Sequence, residues 1–528
     1  MTHNKDNPYL AEIHANLPRV LSLFDVDQTS DSYGLGDRFF WAWGLIDFAN
    51  GTIQGAAHGL ARLWRNGLWP YPTTKAHFMC RIDSIFNASG CLTRKDGSLE
   101  EAFPSEGSYC VTALVAFDLL CAIDLLSEDI DKHTYMRWKK IVAPMIEYLI
   151  KADETHALIS NHLATAVAAL LRWHQLNDDK RAEKKALVLL DRILLNQSKE
   201  GWFLEYEGAD PGYQSLCTYY LADVYHIRND LELFEPLQRS IRFLCYFAHP
   251  DGSFGGLYGS RCTRFYYPTG FLTLAKEIPE AATLAQFMAA SIANKTVVTL
   301  SAIDEPNLIP MFNSYCWAAS SVDNVVLNVE MVLDDLPSLS GVLQQKYFPD
   351  AGIFIDCGQC HYSIINVNKG GVVYHFVNKK LVVLNAGVVV RDSRGRLGST
   401  HSWKRREPQF IEAEAVTVKA DVYKMPKQLP NPFKFFVLRF LCLTFFRISK
   451  VRNMIKQLLV RILITGGNNW PVYNIRQIRL GKDLSIHDNI KKNSQFSVVE
   501  EIVEFVPIHM ASQGYWQIQD EVQQGHVK

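Results

Sequence analysis

From residue 52 to about 330, apolar residues recur three and four positions apart in blocks of helical length, with Ala and Leu plentiful. Tyr109–Leu126, Tyr135–Ile150, Leu163–Gln175, Lys184–Leu195 and Leu216–His226 are the plainest predicted helices. A short glycine motif falls between such blocks: Lys95-Asp96-Gly97-Ser98-Leu99, then Glu200-Gly201-Trp202-Phe203, then Asp251-Gly252-Ser253-Phe254. Gly97 and Gly201 are 104 residues apart and Gly201 and Gly252 are 51 apart, two units and one unit of a period near 51. One helical hairpin with its connections has that length, with Gly giving the positive-φ turn and the next Leu or aromatic tucking back onto the helices. Hairpins repeated this way bury their faces only against neighbours, as an open array or a closed toroid. Unrelated Asp-Gly turns would leave the same motif without a repeat.

After Leu336 the period shortens. Gly352–Asp356, Tyr362–Val367, Gly371–Val377, Lys380–Leu384, Ala413–Val422 and Val498–Phe505 are short, rich in Val, Ile, Tyr and Phe, and punctuated by Gly, Asn and Asp. The expected architecture is α+β and multidomain: an N-terminal (α/α) helical toroid over residues 1–335, then a C-terminal antiparallel β-sandwich over 336–528. A basic amphipathic helical insertion at about 430–465 interrupts the second domain. There, residues 432–465 alternate Phe, Leu and Ile with cations (Lys434, Arg439, Arg447, Lys450, Arg452, Lys456, Arg461, with Lys427 just upstream) and hold no acid. Its apolar runs fall well short of the roughly 20 residues that span a bilayer. The expectation is binding to an anionic membrane surface; an insertion packed on the sheet domain with its cations in solvent is the competing one.

Composition adds limits. With 528 residues, 48% hydrophobic and 21% charged, the chain is globular and long enough for two or more large domains. A formal charge of −1 gives no whole-chain field for nucleic acid, so an anionic ligand must be held by local groups. Met1–Leu10 lacks a signal-peptide core, and the eleven cysteines are irregularly spaced, which suits reduced thiols and a cytoplasmic chain, peripheral on the inner membrane if the basic segment binds lipid. Cys357 and Cys360 form a CGQC pair with no partner pair at zinc-ribbon spacing. No metal or cofactor is expected.

Four clusters carry residue types suited to sugar chemistry. Tyr33 through Gln54 offers aromatic rings around Asp37 and Arg38, with Trp41 among them: flat rings cover pyranose faces and polar groups fix hydroxyls or carboxylates, although Trp41 and Trp43 equally suit a core. Ser160-Asn161-His162 opens a helix, with Ser160 or Asn161 as a natural N-cap, at the end of the dipole that favours an anion. The turn Glu207–Gln214, with Asp210, delivers Tyr213 to the next helix; Tyr moves a proton only if its pKa falls far below about 10. Asp251–Arg261 combines glycines that let backbone approach a ligand with Tyr258 and with Arg261, which can clamp a carboxylate.

Together these residues resemble the heparinase II/III-like superfamily, which includes alginate, heparin and heparan lyases and related uronyl C5-epimerases. The segments GDRFFWAW, GSLEEAFPSE (Gly97–Glu106), Asn161-His162, GADPGY and DGSFGGLYGSR are similar to a subgroup of bacterial proteins tied to surface polysaccharides. The resemblance implies a catalytic Asn161, His162 and Tyr213, with a further His from the sheet domain. The family's His-x-His pattern is absent, which leaves His361, His375 and His401 open for that role. It implies substrate contacts from Asp37, Arg38, Trp41, Gln54, Glu106, Asp210, Tyr258 and Arg261, and an acidic polysaccharide or lipid-linked glycan as partner. Proton abstraction at C5 of a uronate, by lyase or epimerase, is the implied chemistry. A toroid glycosidase using carboxylates among Glu205, Glu207 and Asp210, or a non-catalytic glycan-binding protein, are the other classes the residues permit.

Overall fold

A computed structural model describes residues 7–154, 158–322, 335–411, 414–427, 429, 431–460, 469–508 and 513–516. The expected helix and strand positions at 323–330, Ala413 and 461–465 lie outside these residues. In chain order the first domain contains α1 (Pro8–Leu21), α2 (Arg38–Trp41), α3 (Ala56–Arg65), α4 (Lys75–Leu92), α5 (Tyr109–Leu126), α6 (Lys132–Lys151), α7 (Ser160–Asn177), α8 (Lys180–Leu195), α9 (Pro211–Ile227), α10 (Phe234–Leu244), α11 (Thr269–Leu274), α12 (Pro279–Asn294) and α13 (Glu305–Ser320).

The odd-numbered helices from α3 form an inner ring. Each packs on the next, α3 on α5, α5 on α7, α7 on α9, α9 on α11 and α11 on α13, and α13 returns to α3, so the toroid closes. Helices α4, α6, α8, α10, α12 and α1 pack outside it. Sequence explains the two layers. The inner α5 is buried almost all round, from Tyr109 to Leu126, whereas the outer α8 buries one stripe of Ala182, Ala186, Leu189, Leu190 and Ile193. Helix α5 has the length and apolarity to cross a membrane, but 83% of that stretch is buried inside the ring.

The glycine motifs mark real joints between an outer helix and the next inner one. Gly97, Gly201 and Gly252 have φ of 89°, 106° and 86°. A Cβ on Gly97 would lie 2.0 Å from the Pro144 carbonyl oxygen, and one on Gly201 2.3 Å from the Arg239 carbonyl oxygen. The Gly97 and Gly201 turns are thus wedged against a neighbouring outer helix, where no side chain fits, and a Cβ on Gly252 would lie 2.5 Å from the Thr296 hydroxyl, just past α12. Within the 104 residues from Gly97 to Gly201, the joint without such a motif is the one after α6.

The second domain holds β1 (Gln344–Phe348), β2 (Ile353–Cys357), β3 (His361–Asn366), β4 (Val372–Val377), β5 (Lys380–Asn385), β6 (Val389–Asp392), β7 (Leu397–Ser399), β8 (Gln409–Ile411), β9 (Ala415–Lys424), α14 (Pro432–Leu443), α15 (Ser449–Val460), β10 (Asn469–Arg479), β11 (Ser485–Lys491) and β12 (Phe496–Val499). Strands β1 to β5 form an antiparallel meander, and a second antiparallel sheet runs β11-β10-β9-β7-β6-β12 with β8 beside β9. Phe354, Ile365 and Val373 of the first sheet share a core with Val416, Val418 and Ile478 of the second. The expected strand over Val498–Phe505 is replaced by β12, which ends at Val499 once its pairing with β6 ends. Strands β10 and β11 escape a reading by alternation. The inward face of β10 is Val472, Asn474, Arg476 and Ile478, and buried Arg476 is held by the Asp488 carboxylate at 2.7 Å.

The glycine joints give a test. Gly97→Ala must adopt a left-handed backbone, at a cost of about 1–2 kcal/mol, and displace the Pro144 carbonyl as well. Gly67 has φ of 66° but nothing within 4 Å of its Cβ position, so Gly67→Ala meets only the backbone cost. Thermal unfolding should show a clearly larger loss of melting temperature for Gly97→Ala; equal losses would contradict the wedged joint.

Candidate active site

Helix α7 starts at Ser160, after Ile159, which offers no cap of its own. The Ser160 backbone N–H and hydroxyl both donate to the Leu204 carbonyl, at 3.0 and 2.8 Å, so neither Ser160 nor Asn161 is the N-cap that the sequence suggests. The cap comes from a later loop. Glu205 accepts the Asn161 backbone N–H on one carboxyl oxygen (3.0 Å) and the Asn161 side-chain N–H on the other (2.8 Å). Burial pushes the Glu205 carboxyl from an ordinary 4.5 up to about 8, against the pull of nearby His162 and the two Asn161 donors. His162 Nδ1 lies 3.0 and 2.9 Å from the two oxygens of buried Glu154. Burial alone would lower the His162 pKa, but the adjacent Cys110 sulfur and Glu154 carboxylate overcome it and hold it well above the usual imidazole range. The pairing with Glu154 favours the imidazolium form of the ring, at the start of α7.

The second half of the site hangs on Asp210, the N-cap of α9. One of its oxygens accepts the Tyr213 backbone N–H at 3.1 Å and the Thr263 hydroxyl; the other accepts the Arg261 backbone N–H at 2.9 Å. Gly259 is required there, since a Cβ would sit 2.6 Å from the Asp210 carboxylate. Ser260 ties the same loop to the Glu205 turn through its hydroxyl to the Glu205 carbonyl (3.1 Å) and its N–H to the Ala209 carbonyl (2.8 Å). Arg261 then lies with its guanidinium carbon 4.3 Å from the Tyr206 ring centre and 5.8 Å from that of Tyr213. Burial raises the Tyr206 pKa, with Arg261 opposing.

The sheet domain props this loop from behind. The Tyr374 hydroxyl accepts the Leu257 N–H at 3.0 Å, Asn366 donates to the Tyr258 carbonyl at 2.6 Å, and the Lys369 ammonium donates to the Gly259 carbonyl at 2.6 Å. Trp403 lies against Gly208, with its indole nitrogen 2.5 Å from the position of a Cβ there. Cys110, His162, Tyr206, Tyr213, Arg261 and Trp403 are all partly exposed around one cleft at the N-terminal ends of α5, α7 and α9.

The structure thus brings together Asn161, His162, Tyr213 and Arg261. It places the other candidates elsewhere. Asp37 accepts the Asn50 N–H (2.8 Å), Trp41 donates to the Leu23 carbonyl (2.8 Å), and Gln54, wholly buried, bonds the backbone of Gly34, Gly36 and Ile85. With Arg38 exposed on α2, that cluster folds its own loop outside the cleft. Glu106 binds the N–H groups of Glu101 and Ala102, and Asp210 is fully engaged as a cap. Tyr258 is buried, its hydroxyl 2.7 Å from His249. His375 bridges Ser363 and the Lys482 carbonyl, at 2.8 and 3.0 Å. His361 bonds Asp356 at 3.1 Å, beside a cavity of about 920 Å³ in the sheet domain lined also by Gln345, Gln477 and Arg479. His401 is buried behind the Arg261 loop, 3.1 Å from the Leu257 carbonyl, and burial holds its pKa well below the imidazole range. None of the three histidines faces the cleft, because each ring is engaged in the sheet domain or its junction with the loop. Cys110, Glu154, Tyr206 and Trp403 enter the site without a sequence signal; only Glu205, weighed as a glycosidase acid, was flagged by its loop.

Glu205 supplies a pH test. Its folded pKa of about 8 lies above the ordinary 4.5, so the protonated group favours folding at low pH and that benefit is lost as pH rises through 8. In Glu205→Gln the term vanishes. The melting temperature of the unmodified chain, relative to Glu205→Gln, should fall steadily between pH 4.5 and 8. A difference independent of pH would mean that Glu205 is not protonated in the folded state.

No protein-family model matches the chain, and no curated protein does. Solved structures of similar shape include a xanthan lyase from Paenibacillus, at 11% identity and a TM-score of 0.47, covering 80% of this chain and 46% of that one. A cellobiose 2-epimerase from Bacillus thermoamylovorans gives 11% and 0.43 over 59% of this chain and 98% of that one. A family 76 glycoside hydrolase from a bovine Bacteroides thetaiotaomicron strain gives 9% and 0.40, over 60% and 77%. The chain spans less than half the length of that xanthan lyase. At these identities and scores the likeness assigns no activity.

Proposed function

We propose that the protein acts on a uronate-containing glycan by removing the proton at C5, as a heparinase II/III-like lyase or a uronyl C5-epimerase in bacterial surface polysaccharide metabolism, with the two sheets serving as a β-sandwich support. The observation that carries this reading is the meeting of His162 and Arg261 with two tyrosines at one cleft, above the buried Asn161–Glu205 pair. A C5 proton leaves only when the neighbouring carboxylate is neutralised, and an imidazolium and a guanidinium are the groups for that, while the buried Asn161 amide fixes the start of α7 through Glu205. They would hold the carboxylate and stabilise the enolate-like charge that forms as the C5–H bond breaks.

The C5 proton goes to a tyrosine reacting as its phenolate, which becomes the neutral phenol. His162, held protonated by Glu154 and Cys110, is no base. Tyr213, at the cleft end of α9 and 5.8 Å from the Arg261 guanidinium carbon, is assigned as the base. Tyr206, kept protonated by burial, is the acid. If it protonates a departing O4 the outcome is elimination; if it returns a proton to the far face of C5, epimerisation. Of the three carboxylates weighed for a glycosidase only Glu207 is exposed, since Glu205 and Asp210 are both buried and held by backbone and amide donors.

Incubation with a panel of uronate polysaccharides separates the outcomes: new ultraviolet absorbance marks elimination, solvent deuterium at C5 marks epimerisation, and reducing ends without absorbance mark hydrolysis. Tyr213→Phe should lower kcat by about 10²- to 10⁴-fold and leave KM nearly unchanged, because a proton-transfer group goes while contact area stays. Full turnover in that variant would remove Tyr213 from the mechanism.

A further inference from the structure

Helices α14 and α15 interrupt the second sheet between β9 and β10 and dock on the toroid instead of on the strands. Arg439 reaches Asp47 at 3.0 Å, and its guanidinium lies 5.5 Å from the Phe48 ring centre and 4.7 Å from that of Phe435. Phe446 packs against Phe103, ring centres 5.5 Å apart, and buried Arg452 donates to the Ser105 carbonyl at 3.3 Å. The docked face of α14 therefore carries an arginine and a cysteine, Arg439 and buried Cys442.

The opposite face is apolar and bare. Phe433, Phe436, Phe440 and Leu443 stand at i, i+3, i+7 and i+10, and are 75%, 68%, 53% and 59% exposed. The segment that carries Asp47 adds Trp43 and Leu45, 68% and 83% exposed. This reverses the usual amphipathic helix, which turns such a stripe inward. Along this stretch of the chain the charge is of one sign. Between Asp421 and Asp483 there are twelve Lys and Arg and no acid, and Lys434, Arg447 and Lys450 are exposed.

We infer that this face docks on the surface of an anionic lipid bilayer. An aromatic stripe enters the acyl boundary while the cations beside it meet lipid phosphates, and a helix of twelve residues lies in the interface and does not cross it. A second copy of the chain is a poor occupant: a two-fold contact would set this basic rim against its own equivalent, and the nearby Asp47 is already held by Arg439. The Phe103–Ser105 segment beneath the insertion leads into α5, whose first turn holds Cys110 beside His162. The docking face thus lies at the cleft end of the ring.

The test is co-sedimentation of the full chain with phosphatidylglycerol–phosphatidylcholine vesicles and with phosphatidylcholine vesicles alone. Binding should need the anionic lipid and weaken at least about tenfold once salt brings the screening length below about 8 Å. Phe436→Ser/Phe440→Ser, and separately Lys434→Glu/Arg447→Glu/Lys450→Glu, should each lower vesicle binding about tenfold or more while melting temperature and uronate turnover in solution stay unchanged. Equal recovery in the supernatant with and without vesicles overturns the proposal. So does sedimentation velocity showing a dimer that Phe436→Ser/Phe440→Ser dissociates, with no vesicle binding by the unmodified chain.

Discussion

The cleft depends on one buried carboxylate. Asp210 starts α9, fixes the backbone of Arg261 and receives Thr263, all with no exposure to water. A carboxylate taken out of water is costly unless donors surround it, and here the donors are the chain segments that must meet. The same loop is gripped from the other side by Tyr374, Asn366 and Lys369. Helix ring and sheets are therefore two halves of one support, and the Arg261 guanidinium is placed by groups drawn from both.

A second tension lies at α7. The N-terminus of a helix favours an anion, and burial disfavours one. In Glu205 burial prevails, which leaves the pKa near 8 and the group largely neutral at physiological pH. The neighbouring imidazole is treated in the opposite way, since Glu154 and Cys110 keep it charged. The two groups thus end in different charge states beside the first turn of α7, while the chain as a whole carries a formal charge of −1. Local pairing and burial, rather than net charge, set the charge at this site.

Much of this was legible in the sequence where periodicity and backbone chemistry carried the signal. Tyr109–Leu126 appears as read, because nearly every residue is apolar, and the glycine joints were readable because only Gly fits a positive-φ turn wedged on a helix. Asn161, His162 and Tyr213 stand in the first turns of their helices, as the sequence suggests. What stayed hidden depends on contacts between distant segments. Glu205 caps a helix 44 residues earlier, and nothing local in the sequence shows it. Strand β10 hides because a buried Arg476 and Asn474 break the alternation that their partner Asp488 makes tolerable. Aromatic richness around Trp41 suggested sugar binding, but short-range hydrogen bonds gave those residues to a loop of their own.

The seam of the ring has a consequence for how the chain reaches this state. Asn313 on α13 accepts the Gly59 N–H at 3.0 Å and donates to the Gly55 carbonyl at 2.9 Å, across more than 250 residues. During synthesis α3 must wait until the end of the toroid has emerged before its last flank is covered. At a translation rate of roughly 5–20 residues per second that is an interval of tens of seconds, long beside the microseconds in which a helical hairpin forms. For that time the growing arc has two sticky ends, α3 at one and the newest hairpin at the other. An arc in that condition can join another arc as readily as itself, so slow or crowded synthesis favours swapped, interlocked products over the closed ring.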